Sequence, residues 1–219
     1  MNKIISFEDI RNNTLINSLI VESDDCLSTI NFTKHDKAHV MFVVQRIEYI
    51  LNALGYNDRS IELAKIAGYM HDIGNVINRE NHDIIGGQLA FNILLNLGMN
   101  ITDICTITNA IGCHDSLRGL DYCSGISAAL IIADKSDVRR SRVRVDNLDF
   151  GDIHTRVNSA VYKSALDIDD KNITLSIWLN TKYCSKLEYL EIFLDRMLMC
   201  RTAAKMLHRE FVLNIIEEE

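Results

Sequence analysis

The spacing of apolar residues over the first 140 positions predicts a bundle of short helices. Apolar side chains recur every three or four residues, for example at Val40, Val43, Val44 and Ile47, which is the period of an amphipathic helix. Glycines such as Gly55 and Gly98 follow the last apolar residue of several segments, and glycine favours a helix end. The chain contains no proline, the strongest helix breaker. This pattern favours an all-α architecture.

Six helices follow from this pattern and from the polar residues that precede it. We expect them over residues 6 to about 22, 33–54, 60 to about 71, about 83–97, 102 to 113 or 114, and 124 to about 140. Five of them open on a serine or threonine whose hydroxyl can cap a free N–H at the helix start. These expected caps are Ser6, Thr33, Ser60, Thr102 and Ser124.

The pattern changes after Arg144, where β-branched residues become frequent. Residues 157–167 and 172–179 alternate between apolar and polar side chains, and an Asp-Asp-Lys segment at 169–171 separates them. A turn at this segment would join the two stretches. The sequence therefore predicts a β-hairpin in this part of the chain.

One helix and one short strand are expected to follow the hairpin. Residues 187–207 return to a helical period, and the apolar run at 211–216 favours a strand. The chain is therefore expected to be mainly α. We predict an all-α bundle over residues 1–144 and a small β-β-α-β appendage over residues 145–219.

Composition and charge narrow the classes of function. Hydrophobic residues make up 47% of the chain and charged residues 24%, which is typical of soluble globular proteins. A net charge of −7 argues against binding of duplex nucleic acid, and no apolar run is long enough to span a membrane. The segment MNKIISFEDI lacks a signal-peptide core, so a cytoplasmic protein with reduced thiols is expected. The cysteines show no CxxC spacing and are Cys26, Cys105, Cys113, Cys123, Cys184 and Cys200.

Histidines near the expected helix boundaries indicate a metal site. They are His35, His39, His71, His82 and His114. His71 and Asp72 are adjacent where the third helix is expected to end, and at a fraying end both side chains can turn towards one ion. Imidazole with carboxylate suits a transition metal that supports hydrolytic or redox chemistry. Asp134 lies in an otherwise apolar helix, where burial of an unpaired carboxylate would be costly, so a metal partner is expected there.

These residues resemble the ordered motif of the HD-domain superfamily of metal-dependent phosphohydrolases. That motif has a helical histidine, an adjacent His-Asp pair and a distal aspartate, and a subset adds two histidines before the last aspartate. The resemblance covers residues 35–142, and its parts are His39 in KHDKAHV, His71-Asp72 in GYMHDIGN, His82 in NHDIIGGQLA, His114 in AIGCHD and Asp134 in IIADKSD. The GYP tripeptide of the branch that degrades cyclic dinucleotides is absent from the sequence. His154 and His208 lie outside the resemblance and are expected to be structural or surface residues.

The resemblance implies an HD-domain helical bundle with a two-metal centre. One divalent transition metal would be held by His39, His71, Asp72 and Asp134. A second, bridged by Asp72, would be completed by His82 and His114. Iron or manganese is expected, with zinc, nickel, cobalt or magnesium as alternatives. The implied reaction is hydrolysis of a phosphate ester or anhydride in a small nucleotide-like molecule by a metal-bound hydroxide, with Asp72 as a catalytic residue.

A cationic cluster that begins beside Asp134 favours a small anionic, phosphorylated substrate. Lys135 follows this aspartate and is expected to be catalytic, by stabilising charge that develops on the phosphate. Further expected substrate contacts are His35, Arg79, Arg139 and Arg142. Each of these residues also fits a role without substrate contact. A charge run at a helix end is often only solvated, and His35 fits an exposed helix start equally well.

Two other functions fit the same residues. A diiron oxygenase that oxidises C–H bonds with oxygen can use this His/Asp frame, and a ligand-binding module can retain the fold without catalysis. The complete ligand set disfavours a ligand-binding module without catalysis, because a site that has lost its activity should lack some of the ligands. The appendage carries no catalytic constellation of its own, so it can either cover the pocket or form the contact of a homodimer.

Overall fold

Residues 4–115, 124–144 and 150–218 are described by the computed structural model of the chain. In these ranges the chain is mainly α, as predicted, with a three-stranded sheet near its C-terminus. The helices are α1 Phe7–Arg11, α2 Thr14–Ser28, α3 Lys37–Ala53, α4 Asp58–Met70, α5 His82–Asn96, α6 Ile101–Cys113, α7 Gly125–Lys135, α8 Ile153–Ala160 and α9 Lys186–Met206. The strands are β1 Val161–Ile168, β2 Asn172–Asn180 and β3 Glu210–Glu218. None of these helices is long and apolar enough to cross a membrane.

Helix α7 lies at the centre of the bundle because it is apolar on all sides. Every side chain from position 126 to 135 is buried, and the helix packs against α3, α4, α6 and α9. Large side chains of the neighbouring helices, such as Ile47 and Ile66, are fully buried in the same core. Burial of a side chain of this size stabilises the fold by about 1.5–3 kcal/mol. The last two residues of α7, Asp134 and Lys135, are charged and buried in this interior, and the candidate site lies around them.

Several helix starts differ from the prediction because asparagine or aspartate side chains cap them. The observed caps are Asn13 for α2, Asp36 for α3, Asn57 for α4 and Asn100 for α6. The expected caps Thr33, Ser60 and Thr102 were therefore wrong. The capping box of Ser6 with Asp9 and the cap at Ser124 are confirmed.

Two helix lengths also differ from the prediction. The first expected helix is divided into α1 and α2, because Asn13 leaves the helical conformation and caps the second of them. Helix α7 ends at Lys135 and not near Arg140. The chain turns there because Asp137 leaves the helix and its carboxylate accepts a hydrogen bond from His39 at 2.8 Å.

The C-terminal part contains the expected hairpin, helix and last strand. β1 pairs antiparallel with β2, and β3 pairs parallel with β2 after the crossover through α9. Alternate β2 residues, including Ile173 and Leu175, are buried on one face of the sheet. The first strand was expected to begin at residue 157, but Asp152 caps the additional helix α8 and β1 starts only at Val161.

Helix α9 connects this sheet to the helical bundle. Its residues Cys200, Ala203 and Ala204 are fully buried in the core that the N-terminal helices form. The predicted division between residues 144 and 145 stays a prediction, since residues 145–149 lie outside the described residues. Cys123 lies outside them as well, and the other five cysteines form no disulfide with one another.

Gly74 lies where the segment after Asp72 passes closest to the start of α5. A Cβ atom at this position would lie 2.0 Å from the carbonyl oxygen of His82 and 2.6 Å from the amide nitrogen of Gly86. We therefore expect Gly74→Ala to lower the free energy of unfolding by about 3 kcal/mol or more, measured by urea denaturation. In the control Gly112→Ala the new Cβ meets nothing closer than 3.9 Å, so stability should be unchanged or slightly higher. Equal destabilisation of the two variants would contradict the close approach.

Candidate metal centre

The six residues predicted to bind metal converge on one buried cluster where the ends of five helices meet. His39 lies in the first turn of α3, and His71 and Asp72 directly follow α4. His82 is the first residue of α5, His114 directly follows α6, and Asp134 lies in the last turn of α7. None of them is more than 8% exposed. The helix boundaries thus bring distant parts of the sequence to one point in the interior.

A first group of ligand atoms surrounds the Nε2 atoms of His39 and His71. One ligand atom from each of these histidines and from Asp134 lies within 4.8 Å of the others. His39 Nε2 is 3.3 Å from Asp134 Oδ1, and His71 Nε2 is 2.9 Å from Asp72 Oδ2. Ligands bound at 2.0–2.2 Å lie about 2.8–3.1 Å apart when they are neighbours in octahedral coordination and about 3.3–3.6 Å apart in tetrahedral coordination. The group therefore has the spacing of a metal site.

A second group consists of His82, His114 and the other oxygen of Asp72. The Nε2 atoms of the two histidines are 3.2 Å apart. Asp72 Oδ1 lies 3.4 Å from His82 Nε2 and 3.9 Å from His114 Nε2. These three atoms can also hold a cation. The carboxylate of Asp72 thus faces both groups, with Oδ2 towards the first and Oδ1 towards the second, which is the placement of a bridging ligand.

The four imidazole rings are held with their Nε2 atoms towards the centre. Each Nδ1 donates to an oxygen: Gly68 O for His71 at 2.8 Å, Ile111 O for His114 at 2.7 Å, Arg79 O for His82 at 3.1 Å and Asp137 Oδ2 for His39 at 2.8 Å. Such outer hydrogen bonds fix the tautomer and the ring orientation of histidines that bind metals. The Nε2 lone pairs are consequently available to a metal.

Unpaired polar atoms in the cluster support a cation as the missing partner. His39 Nε2, His71 Nε2 and Asp72 Oδ2 are buried and have no hydrogen-bond partner among the described residues. Buried polar atoms are normally paired. In the second group the Nε2 atoms of His82 and His114 face each other, although both rings donate through Nδ1, and the guanidinium of Arg79 is the present donor to His82 Nε2. A cation in each group would satisfy these atoms, so the donor set fits metal binding.

The charges of the cluster lead to the same conclusion. Burial would lower the pKa of His71, but the carboxylates of Asp72 and Asp134 outweigh it and raise that pKa to about 10. Burial would raise the pKa of Asp134, but Lys135 beside it holds the value well below its usual range. Burial and the charge of His71 lower the pKa of His114 to about 3. The buried carboxylates are therefore ionised, and protonated imidazole or a bound metal ion must balance them.

Two of the predicted cationic residues lie at the centre itself. Lys135 Nζ is 2.8 Å from Asp134 Oδ2 and also pairs with Asp115. Arg79 Nη2 is 3.2 Å from Asp115 Oδ2, and Nη1 of the same guanidinium is 3.1 Å from His82 Nε2. Arg79 therefore occupies the position from which a second cation would bind His82, and it would have to move aside for such an ion.

Arg139 and Arg142 both bind Asp137. Arg139 donates to the two carboxylate oxygens of Asp137 at 2.6 and 3.1 Å, and Arg142 donates to its backbone carbonyl at 2.9 Å. The same carboxylate accepts the Nδ1 hydrogen of His39. The two arginines thus orient a candidate ligand through Asp137, and their contact with a substrate stays a prediction.

His35 lies next to the first group of ligand atoms. Its ring is 5.4 Å from that of His39, measured between centroids, in an edge-to-face arrangement. Its Nδ1 donates to Thr33 O at 2.6 Å. Burial, followed by the charge of Arg142, holds the pKa of His35 well below its usual value, so the ring is neutral. Its contact with a substrate likewise stays a prediction.

Three residues of the centre were not predicted from the sequence: Asn75, Asp115 and Asp137. Asp115 follows His114 and forms one of the four His-Asp dipeptides of the chain, a signal that the sequence carries. Asp137 lies beyond the end of α7, and its contact with His39 depends on the turn there. Asn75 Nδ2 donates to Asp72 Oδ1 at 3.1 Å, and nothing in the sequence distinguished it from other asparagines.

Asp137 offers a test of the outer hydrogen bond to His39. We expect Asp137→Asn to weaken metal binding by about 10–100-fold, because the charged acceptor that orients the imidazole is lost. The measurement is a competition titration against a chromogenic chelator. Asp170→Asn, on the exposed turn between β1 and β2, is the control and should bind metal like the unmodified protein. Unchanged affinity in Asp137→Asn would contradict this role.

Comparisons with known proteins add a likeness in fold. No family model and no curated protein matches the chain. Among solved structures, it is similar to the crystal structure of a "predicted HD superfamily hydrolase" from an uncultured Thermotogales bacterium, with 21% sequence identity and a TM-score of 0.45. The likeness covers 57% of this chain and 67% of that one. The candidate metal centre is inferred from the side-chain geometry of this chain alone.

Proposed function

We propose that the protein is a metal-dependent phosphohydrolase that cleaves a phosphate ester or anhydride of a small nucleotide-like substrate. The position of the Asp72 carboxylate carries this proposal, because its two oxygens face two groups of histidine nitrogens. Sites that hold two metals in this way are suited to displacement at phosphorus, where both the attacking and the leaving oxygen need stabilisation.

The residues that would hold the metals follow from the two groups. The first metal would be held by His39, His71, Asp72 and Asp134, and the second by Asp72, His82 and His114. Divalent ions such as iron or manganese, when bound, polarise phosphoryl oxygens and lower the pKa of water to near neutrality. Asn75 supports this arrangement, since its hydrogen bond to Asp72 Oδ1 keeps the carboxylate turned between the groups.

Arg79 is the cation best placed to reach a phosphate at the centre. Its side chain is 25% exposed, whereas that of Lys135 is 5% exposed and lies between Asp134 and Asp115. We propose that Lys135 keeps Asp134 ionised and that Arg79 moves from His82 to the phosphoryl oxygens. A guanidinium donates two parallel hydrogen bonds to such oxygens, and fixed donors of this kind stabilise developing negative charge.

Release of inorganic phosphate from a panel of phosphate monoesters, diesters and nucleoside triphosphates tests this function. We expect metal-dependent release from at least one class, and none from His71→Asn, which loses a central ligand. His208→Asn is the matched control, because His208 is exposed and its φ of 56° is a conformation that asparagine tolerates. Iron-loaded protein that releases no phosphate but consumes oxygen with a polyol or phosphonate would instead identify an oxygenase.

A further inference from the structure

A cavity of about 520 Å³ lies between the segment before α3 and the helices α8 and α9. Its volume falls within the range of about 300–1,000 Å³ that is usual for small-molecule sites. Apolar side chains form much of its wall, namely Ile30, Phe32, Val143, Ile192 and Phe193. Both the bundle and the C-terminal part thus contribute to this cavity.

Phe32 connects the cavity with the metal centre. Its ring forms part of the wall, and the guanidinium carbon of Arg79 lies 5.1 Å from the ring centroid. The same guanidinium contacts His82 and Asp115. Phe32 and Arg79 therefore lie in succession between the cavity and the candidate ligand His82.

Arg196 reaches the cavity from α9, on the face of that helix that packs on the bundle. Cys200 lies one turn further along the same face and is fully buried in the core. Helices α9 and α7 pack against each other, so this face of α9 runs beside α7. Arg196 itself lies within the field of charged residues of the centre, which are Arg142, Asp134, Asp115 and Arg79.

The charge of Arg196 is not matched by an acid in the part of the chain that the structure describes. Its guanidinium carbon lies 4.9 Å from the centroid of the Phe193 ring, and it makes no ion pair with a described carboxylate. Arg144, which also lines the cavity, differs because it pairs with Asp24 at 2.6 Å. Two other polar groups of the lining are Asp152, whose carboxylate caps α8, and His154. Among the described residues of the lining, Arg196 is therefore the cation that is available to an anion.

We propose that Arg196 binds a phosphate group of the substrate at the junction between this cavity and the metal centre. The proposal rests on the phosphohydrolase function, and it makes α9 of the C-terminal part a contributor to the substrate site. The planar fork of guanidinium donors matches phosphate oxygens, and the apolar wall receives the uncharged part of the substrate.

Binding of inorganic phosphate to the metal-loaded protein, measured by calorimetry, tests this role. We expect Arg196→Gln to weaken phosphate binding roughly 10- to 100-fold, because a charge-assisted hydrogen bond is lost. The KM for a hydrolysed ester should rise by a similar factor, with metal content and Tm unchanged. Arg196→Lys should recover part of the affinity, since it keeps the charge without the fork.

Arg201→Gln provides the matched control, because Arg201 is exposed on the same helix. Equal phosphate affinity in Arg196→Gln and Arg201→Gln overturns the proposal, as does a wild-type protein that binds no phosphate. A wild-type protein that binds phosphate through Arg196 but hydrolyses no ester supports the anion site and contradicts the proposed function alone.

Discussion

Replacement of Asp72 by asparagine is expected to lower phosphohydrolase activity by about 10³-fold or more, since the metals supply several kcal/mol of charge stabilisation. The substitution keeps the size of the side chain but removes the negative charge that both groups of ligands share. Metal content should fall with the activity. The measurements are initial rates of phosphate release and metal analysis of the purified variant.

Asp36→Asn is the matched control for this variant. Asp36 forms the same dipeptide with His35, but its Oδ1 caps α3 and accepts the N–H groups of Ala38 and His39 at 3.0 Å each. Asparagine is an equally good cap, so activity and metal content should be retained. An Asp72→Asn variant that stays active, or equal losses in the two variants, would contradict the bridging role of Asp72.

Removal of metal by a chelator is expected to abolish activity and to lower thermal stability. The buried atoms of His39, His71 and Asp72 have no hydrogen-bond partner among the described residues, so they would be left unpaired without the proposed metal. A metal at 100 times its Kd stabilises the fold by about 2.7 kcal/mol, which for a chain of 219 residues corresponds to a rise of roughly 5–11 °C in Tm. Differential scanning fluorimetry of chelated protein, before and after addition of manganese, measures this rise.

The Asp72→Asn variant is also the control for the metal-removal experiment. Added manganese should raise its Tm much less, because the site in that variant has lost its shared ligand. A chelator that changes neither Tm nor activity would contradict a metal at this centre.

The helical part of the fold was predictable because apolar spacing and glycine ends are local signals. Gly55 and Gly98 have φ values of +73° and +83°, which glycine adopts without strain, and the helices α3 and α5 end just before them. Helix starts were less predictable, because several polar residues near each start compete to be the cap. At α4, for example, Asn57 caps the helix and the expected Ser60 only donates its N–H to it.

Helix α8 is an element that the sequence pattern did not predict. Its segment contains β-branched residues such as Ile153 and Val157, and part of it was assigned to the first strand. The cap at Asp152 and packing against α9 favour a helix there. Tertiary contacts of this kind outweigh local propensity, and a single sequence does not display them.

The six residues that converge at the candidate metal centre could be named from the sequence because their order forms a motif, and their role as ligands stays a prediction. The contacts around them depend on the three-dimensional structure. Arg139 is an example of such a contact. Its charge suggested that it contacts a phosphate of the substrate, and the turn after α7 places its guanidinium against the Asp137 carboxylate. Arg196 lies outside the motif, and only the packing of α9 on the bundle brings it near Asp134.

Metal analysis by mass spectrometry tests the central claim, that Asp72 joins two groups of ligands that each hold an ion. The protein is purified without chelator and compared with His82→Ala, which removes a ligand of the second group alone. We expect two ions per chain in the unmodified protein and one in His82→Ala. No stoichiometric metal in the unmodified protein, or the same metal content in both proteins, would contradict the two-metal centre.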